Sequence, residues 1–138
     1  MARTTVNLAK LAAAAFTDEA KAGDLMISLR WPDGVACPRC GGADPYRANR
    51  KGYKGHPPRR GLFKCSQCRK QFTVTTGTVF ESTHIPVSKW LMAMHLMCAS
   101  KKGISAHQLH RMLGITYRAA WFVNHRLRWA MNTNASLF

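Results

Sequence analysis

The order of apolar and polar positions divides the 138-residue chain into stretches of different period. The stretch "TDEAKAGDLMISLRWPDG" predicts one helix. Thr17 is its expected N-cap, and Asp18 and Glu19 fall in the first turn, where the helix dipole favours acids. Leu25, Ile27 and Leu29 give it an apolar surface, and it must stop before Pro32. Trp31 is assigned to packing this helix on the cysteine-bearing segment C-terminal to it. Before it, "MARTTVNLAKLAAAAF" reads as a loosely helical extension. Lys10 breaks any apolar run there, and no cleavage motif is evident, so it is not read as a leader. Further on, "GLFKC" and "KQFTVTTGTVF" predict short strands, from Phe72, Val74 and the threonines, with a bend at Gly77.

The second half has the spacing of helices. "HIPVSKWLMAMHLMCASKKG" starts near Pro86, ends at Gly103, and is apolar on nearly every face. It is the expected central buried helix. In "SAHQLHRMLG", Ser105 caps, Leu109, Met112 and Leu113 form the inner stripe, and Gly114 ends the helix. Ile115 comes next, then Thr116 as N-cap of "YRAAWFVNHRLRWAM". Two short helices joined by a Gly-Ile-Thr turn after a buried helix fit a helix-turn-helix. At about 100° per residue, Ala119, Ala120, Val123, Leu127, Ala130 and Met131 of the last helix share one arc. Tyr117, Arg118, Asn124, His125 and Arg128 lie opposite, with Trp121 among them. A face of that kind can enter a major groove, or it can be the solvated side of a bundle. Trp121 and Trp129 suit packing equally well. His95, His107 and His110 are read as surface or packing residues.

Charge tips that balance. Lys and Arg number 21 against 6 Asp and Glu, a net charge of +15. A solubilising surface needs no such excess, and self-repulsion of that size is a cost without a ligand, so a polyanion is expected. The cations sit in loops and turns rather than on a basic amphipathic helix, which argues against a membrane surface. The most apolar run, "WLMAMHLMCA", is too short to span a bilayer. From Arg39 to Lys70 there are ten cations and one acid, Asp44, with Tyr46 and Tyr53 interleaved. Arg50, Lys51, Lys54, Arg59 and Arg60 are the expected phosphate contacts, and Tyr117, Arg118, Asn124 and Arg128 the expected contacts of the last helix with DNA.

The same basic segment lies between two Cys-x-x-Cys pairs, Cys37 with Cys40 and Cys65 with Cys68, 24 residues apart. Two such turns supply four thiolates for one tetrahedral zinc. A redox pair needs only one, at a helix start. Gly41 and Gly42 let the backbone fold under the metal. A closed four-thiolate site leaves no open position for catalysis, so one structural Zn2+ per chain is expected. His56, beside Pro57 and Pro58, is expected to be solvated, and Cys98 to be a buried thiol. Five cysteines, an odd number, fit a reducing compartment, and the expected location is cytoplasmic, on the nucleoid.

"RWPDGVACPRCGG", "FKCSQCRKQFTVTTGTVFESTHIPVSKW" and "GITYRAAWFVNHRLRWAM" resemble the N-terminal region of zinc-ribbon transposases of bacterial insertion sequences. The resemblance covers about residues 16–131. In that family a ribonuclease-H-like domain comes next, whose three carboxylates bind divalent metal for strand cleavage and transfer. Here no Asp or Glu occurs after Glu81. The resemblance therefore implies the DNA-recognition part without the catalytic centre: an excised piece, a truncated product or a small regulator. The expected fold is small α+β. It comprises an extension (1–16), a helix plus zinc ribbon (17–82) and a three-helix helix-turn-helix bundle (83–138). The expected partners are double-stranded DNA and a catalytic transposase chain or further copies of this one. A stand-alone transcriptional or transposition regulator and an RNA-binding zinc ribbon are the alternatives.

Overall fold

The computed structural model describes residues 15–48 and 61–133. After a helical turn at 15–17 come α1 (Glu19–Arg30), β1 (Pro45–Arg47), β2 (Leu62–Cys65), β3 (Gln71–Thr73), α2 (Val87–Ala99), α3 (Ala106–Leu113) and α4 (Tyr117–Asn132). The expected small α+β fold is present. The strands form one antiparallel sheet in the order β1-β2-β3, with Tyr46 opposite Lys64 and Lys64 opposite Gln71.

Local chemistry sets the helix ends. Ser105 and Thr116 cap α3 and α4 by accepting from the N–H groups of Gln108 (3.2 Å) and Ala119 (3.3 Å). Gly114 closes α3 at φ 61°, a left-handed value that costs a residue with a Cβ about 1 kcal/mol. The cap of α1 corrects the sequence reading: it is Asp18, not Thr17. The Asp18 backbone is extended and its carboxylate accepts from Ala20 N–H at 2.9 Å. That releases Glu19, whose two carboxylate oxygens accept from Val87 N–H (2.7 Å) and Ser88 N–H (3.0 Å). Helix α2 begins at Pro86, which has no side chain to cap with, so a distant acid at the start of α1 does it.

Two apolar clusters hold the chain. The larger joins Met26 of α1 and Phe80 of the β3–α2 segment to Trp90, Leu109, Leu113, Val123 and Leu127 of the last three helices. Phe80 meets Trp90 edge-on at 5.2 Å. The smaller comprises Cys37, Phe63, Cys65 and Phe72 under the sheet. Ile27 and Trp31 border both clusters, and the Trp31 ring stands edge-on to Phe63 (6.2 Å) and Phe72 (6.1 Å). Trp31 thus packs α1 on the ribbon as expected. The larger core takes Phe80 from before residues 82 and 83 and Trp90 from after them. Two arginines tie loops to helices: Arg30 donates to Val74 O (2.7 Å), and Arg126 to Val79 O (2.8 Å) and Glu81 O (2.7 Å).

Several burial expectations are corrected. Cys98 is exposed, because α2 buries only the side carrying Trp90, Leu91, Ala93 and Met97. Met112 and Met131 are about half exposed rather than on the inner faces of their helices. Leu29 is exposed too, and the buried positions of α1 are Ala22 and Met26. Among the described residues no helix is long and apolar enough to cross a membrane.

Candidate metal centre and basic helix face

The four expected sulfurs converge. The Sγ atoms of Cys37, Cys40, Cys65 and Cys68 all lie within 4.8 Å of one another, and this is the one metal-competent group among the described residues. Cys37 Sγ is 3.7 Å from Cys68 Sγ, and Cys40 Sγ is 3.5 Å from Cys65 Sγ. Zinc bound tetrahedrally at about 2.3 Å from each sulfur would set such edges near about 3.8 Å, so the donor set fits.

The two turns are built alike. Cys37 N–H donates to Gly42 O (3.0 Å), and Cys65 N–H donates to Lys70 O (3.1 Å). The residue after the second cysteine of each turn is left-handed: Gly41 at φ 73° and Arg69 at φ 56°. Glycine takes this conformation freely, whereas arginine is strained in it. At Gly42 a side chain would have to displace the end of Gln67. A Cβ there would sit 2.8 Å from Gln67 Oε1 and 3.4 Å from Cys65 Sγ.

Without metal, four thiols this close cannot ionise independently. Burial pushes Cys37 up, but the backbone N–H groups of Arg39 and Cys40, with the thiols of Cys40 and Cys68, outweigh it and bring the group down to about 6. Cys65 is lowered as well, chiefly by the backbone N–H of Cys68. At Cys40 the Gly42 N–H favours the thiolate, yet the hydrogen bond with Cys65 and burial prevail and raise it to about 11. The cluster is thus poised to give thiolates to a cation while holding part of its protons until one arrives.

The second candidate surface is on α4. Ala120, Val123, Asn124, Leu127 and Ala130 are its buried side. Tyr117, Arg118, Trp121, His125, Arg128 and Trp129 are exposed, Trp121 by 49% and Trp129 by 61%. Two ring contacts lie on the face: Tyr117 stacks on His107 of α3 (centroids 4.3 Å apart), and Trp121 lies tilted against His125 (4.1 Å). Asn124 does not belong to it. This side chain is 4% exposed and donates to Ile104 O at 3.1 Å, fixing the α2–α3 loop, and its Oδ1 has no partner among the described residues. Arg128 is exposed but also donates to Ile104 O at 3.3 Å. His110 is a packing residue, its Nδ1 bonded to Ile115 O across the turn, and His95 packs on Phe16. Arg50, Lys51, Lys54, Arg59 and Arg60, with Tyr53 and His56, lie outside the described residues.

A three-stranded ribbon with four converging cysteines, joined to a helical bundle, defines the class: a zinc-ribbon fold with a metal-competent centre. Residues 17–71 match the family model of the transposase zinc-ribbon domain. A curated relative, an uncharacterized protein in transposable element ISH50 of Halobacterium salinarum, is 27% identical over 106 residues, 77% of this chain and 33% of the relative. The chain spans about a third of the length of that relative. No solved structure matches the chain. Residues 17–71 are therefore similar to the zinc-ribbon region of insertion-sequence transposases.

Proposed function

We propose that this chain is the DNA-recognition part of an insertion-sequence transposase. Cys37, Cys40, Cys65 and Cys68 hold one structural Zn2+, which supplies folding energy to the ribbon. Helices α3 and α4 act as a helix-turn-helix whose exposed α4 face reads base edges. The basic ribbon segment, with Arg50, Lys51, Lys54, Arg59 and Arg60, grips phosphates. The observation that carries the reading is the α4 face itself. Tyr117, Arg118, Trp121, His125 and Arg128 stand on a helix fixed through Ala120, Val123 and Leu127, and no acid occurs in the chain beyond Glu81. Side chains set by packing can hold the geometry that base contacts need.

The reading assigns strand cleavage elsewhere. Of the six acids, Asp18 caps α1, Glu19 caps α2, Asp24 pairs with Arg47 at 3.8 Å, and Glu81 accepts from Gly77 N–H at 3.1 Å. For these four acids, the contacts support a structural role rather than divalent-metal phosphoryl chemistry. The partners are duplex DNA and a catalytic transposase chain or a further copy of this one, at the nucleoid.

Selection of bound sequences from random duplex DNA tests the reading, with a structured RNA as competitor. One enriched duplex motif, not displaced by RNA, is the expected result. Binding to RNA in preference to every duplex would replace it with the RNA-binding alternative.

A further inference from the structure

A groove of about 330 Å³ lies where the segment after the ribbon meets the start of α4. Its polar lining is Ser82, Thr83, His84, Thr116 and Arg118. Every polar group there can donate a proton, and none is an acid. Thr116 Oγ1 already accepts from Ala119 N–H, and Thr83 Oγ1 accepts from Trp90 Nε1–H at 3.1 Å, so each hydroxyl keeps its own proton to give outward. Ser82, His84 and Arg118 have no hydrogen-bond or ion-pair partner among the described residues. No carboxylate lines the groove, and the side chain of neighbouring Glu81 is turned to Gly77 N–H. Its floor is apolar: Ile85, Ala119 and Phe122.

Both walls are held in place. Arg126 donates to Val79 O and Glu81 O just before Ser82, and its guanidinium lies over the Phe122 ring at 4.8 Å. Trp90 meets Phe122 edge-on at 6.4 Å. Ser82 itself is left-handed, at φ 57°, a strained conformation for a residue with a Cβ.

Unpaired donors around an apolar floor suit a ligand with an anionic end and an apolar body. We propose that this groove binds one phosphodiester and the adjoining deoxyribose of a DNA strand, with Ser82 and His84 on the phosphate and Ile85 and Phe122 against the sugar. The proposal rests on the DNA-recognition reading and adds a site to it. It places a strand contact at the junction of ribbon and helix, so that the two halves would grip the duplex at a fixed spacing.

The test is a duplex recovered by selection, in which single neutral methylphosphonates replace successive phosphates along each strand. In the wild-type chain, one such position at the groove should lower affinity about tenfold, the scale of a charge-assisted contact. His84→Ala and Ser82→Gly should bind the unmodified duplex more weakly and lose most of their sensitivity at that position. Neither variant should melt below wild type: His84 has no partner among the described residues, and glycine relieves the strain at Ser82. Wild-type sensitivity at every position in both variants would overturn the proposal. Failure of the wild-type chain to bind any duplex would instead overturn the DNA reading, and the groove assignment with it.

Discussion

Gly41 and Arg69 occupy equivalent places in the two cysteine turns, and only the second is strained. Gly41→Ala should destabilise the metal-loaded protein by about 1 kcal/mol, because φ 73° is costly with a Cβ. Arg69→Gly should be neutral or stabilising for the same reason, and thermal melts at saturating zinc check both. Asn124 gives a sharper contrast with Arg118. Asn124→Ala leaves Ile104 O with only the longer bond from Arg128 and should cost about 1 kcal/mol. Arg118→Ala, on an exposed side chain, should leave the melt nearly unchanged. Sequence periodicity puts both on one face, because it says which residues are neighbours but not what packs over them. The α2–α3 loop covers Asn124, and loop paths are not periodic. Met112 and Met131 depart from expectation for a related reason: each lies at the edge of its helix's apolar arc, where no neighbouring element among the described residues covers it.

Helix ends that depend on nearby residues were legible, as Ser105, Gly114 and Thr116 show, because a cap is a contact between residues two to four positions apart. Glu19 was not, since its carboxylate serves N–H groups 68 and 69 positions away. Glu19→Ala should remove two charge-assisted hydrogen bonds from the start of α2 and cost about 1–2 kcal/mol, read by urea denaturation. A loss no larger than that of an exposed substitution would mean that the α2 terminus is satisfied by solvent. The cysteine turns were legible for the opposite reason: metal geometry demands a fixed spacing, and Cys-x-x-Cys records it. Their titration gives a signed expectation. Zinc takes thiolates, so protons compete with it. Cys40, raised to about 11, must lose a proton on binding at neutral pH, whereas Cys37, lowered to about 6, is already ionised there. Zinc affinity should therefore rise with pH, and fall more steeply once Cys37 also protonates below about pH 6. Chelator competition across that range measures it, and an affinity indifferent to pH would contradict the four-thiolate site.

At the scale of the molecule, ribbon and bundle share α1 as a wall, with Ile27 and Trp31 touching both apolar clusters. Among the described residues the ribbon's own cluster is small, four buried residues of which two are cysteines, so a bound metal would supply much of its stability. The larger core contains no metal ligand. Chelation of zinc, or Cys65→Ser, should unfold the sheet and shift Trp31 fluorescence while most helical circular dichroism remains. Joint loss of both signals would mean a single cooperative unit. The central claim is that affinity comes from the basic ribbon segment and specificity from the face of α4. A salt titration of binding to one selected duplex and one random duplex tests it, comparing Arg118→Ala with an Arg59→Ala, Arg60→Ala double variant. The account expects Arg118→Ala to lose about 1–3 kcal/mol of preference for the selected duplex with the salt slope nearly intact. The double variant should weaken both duplexes alike and lower the slope by about two. If both variants weaken the two duplexes equally, α4 reads no bases and the claim fails.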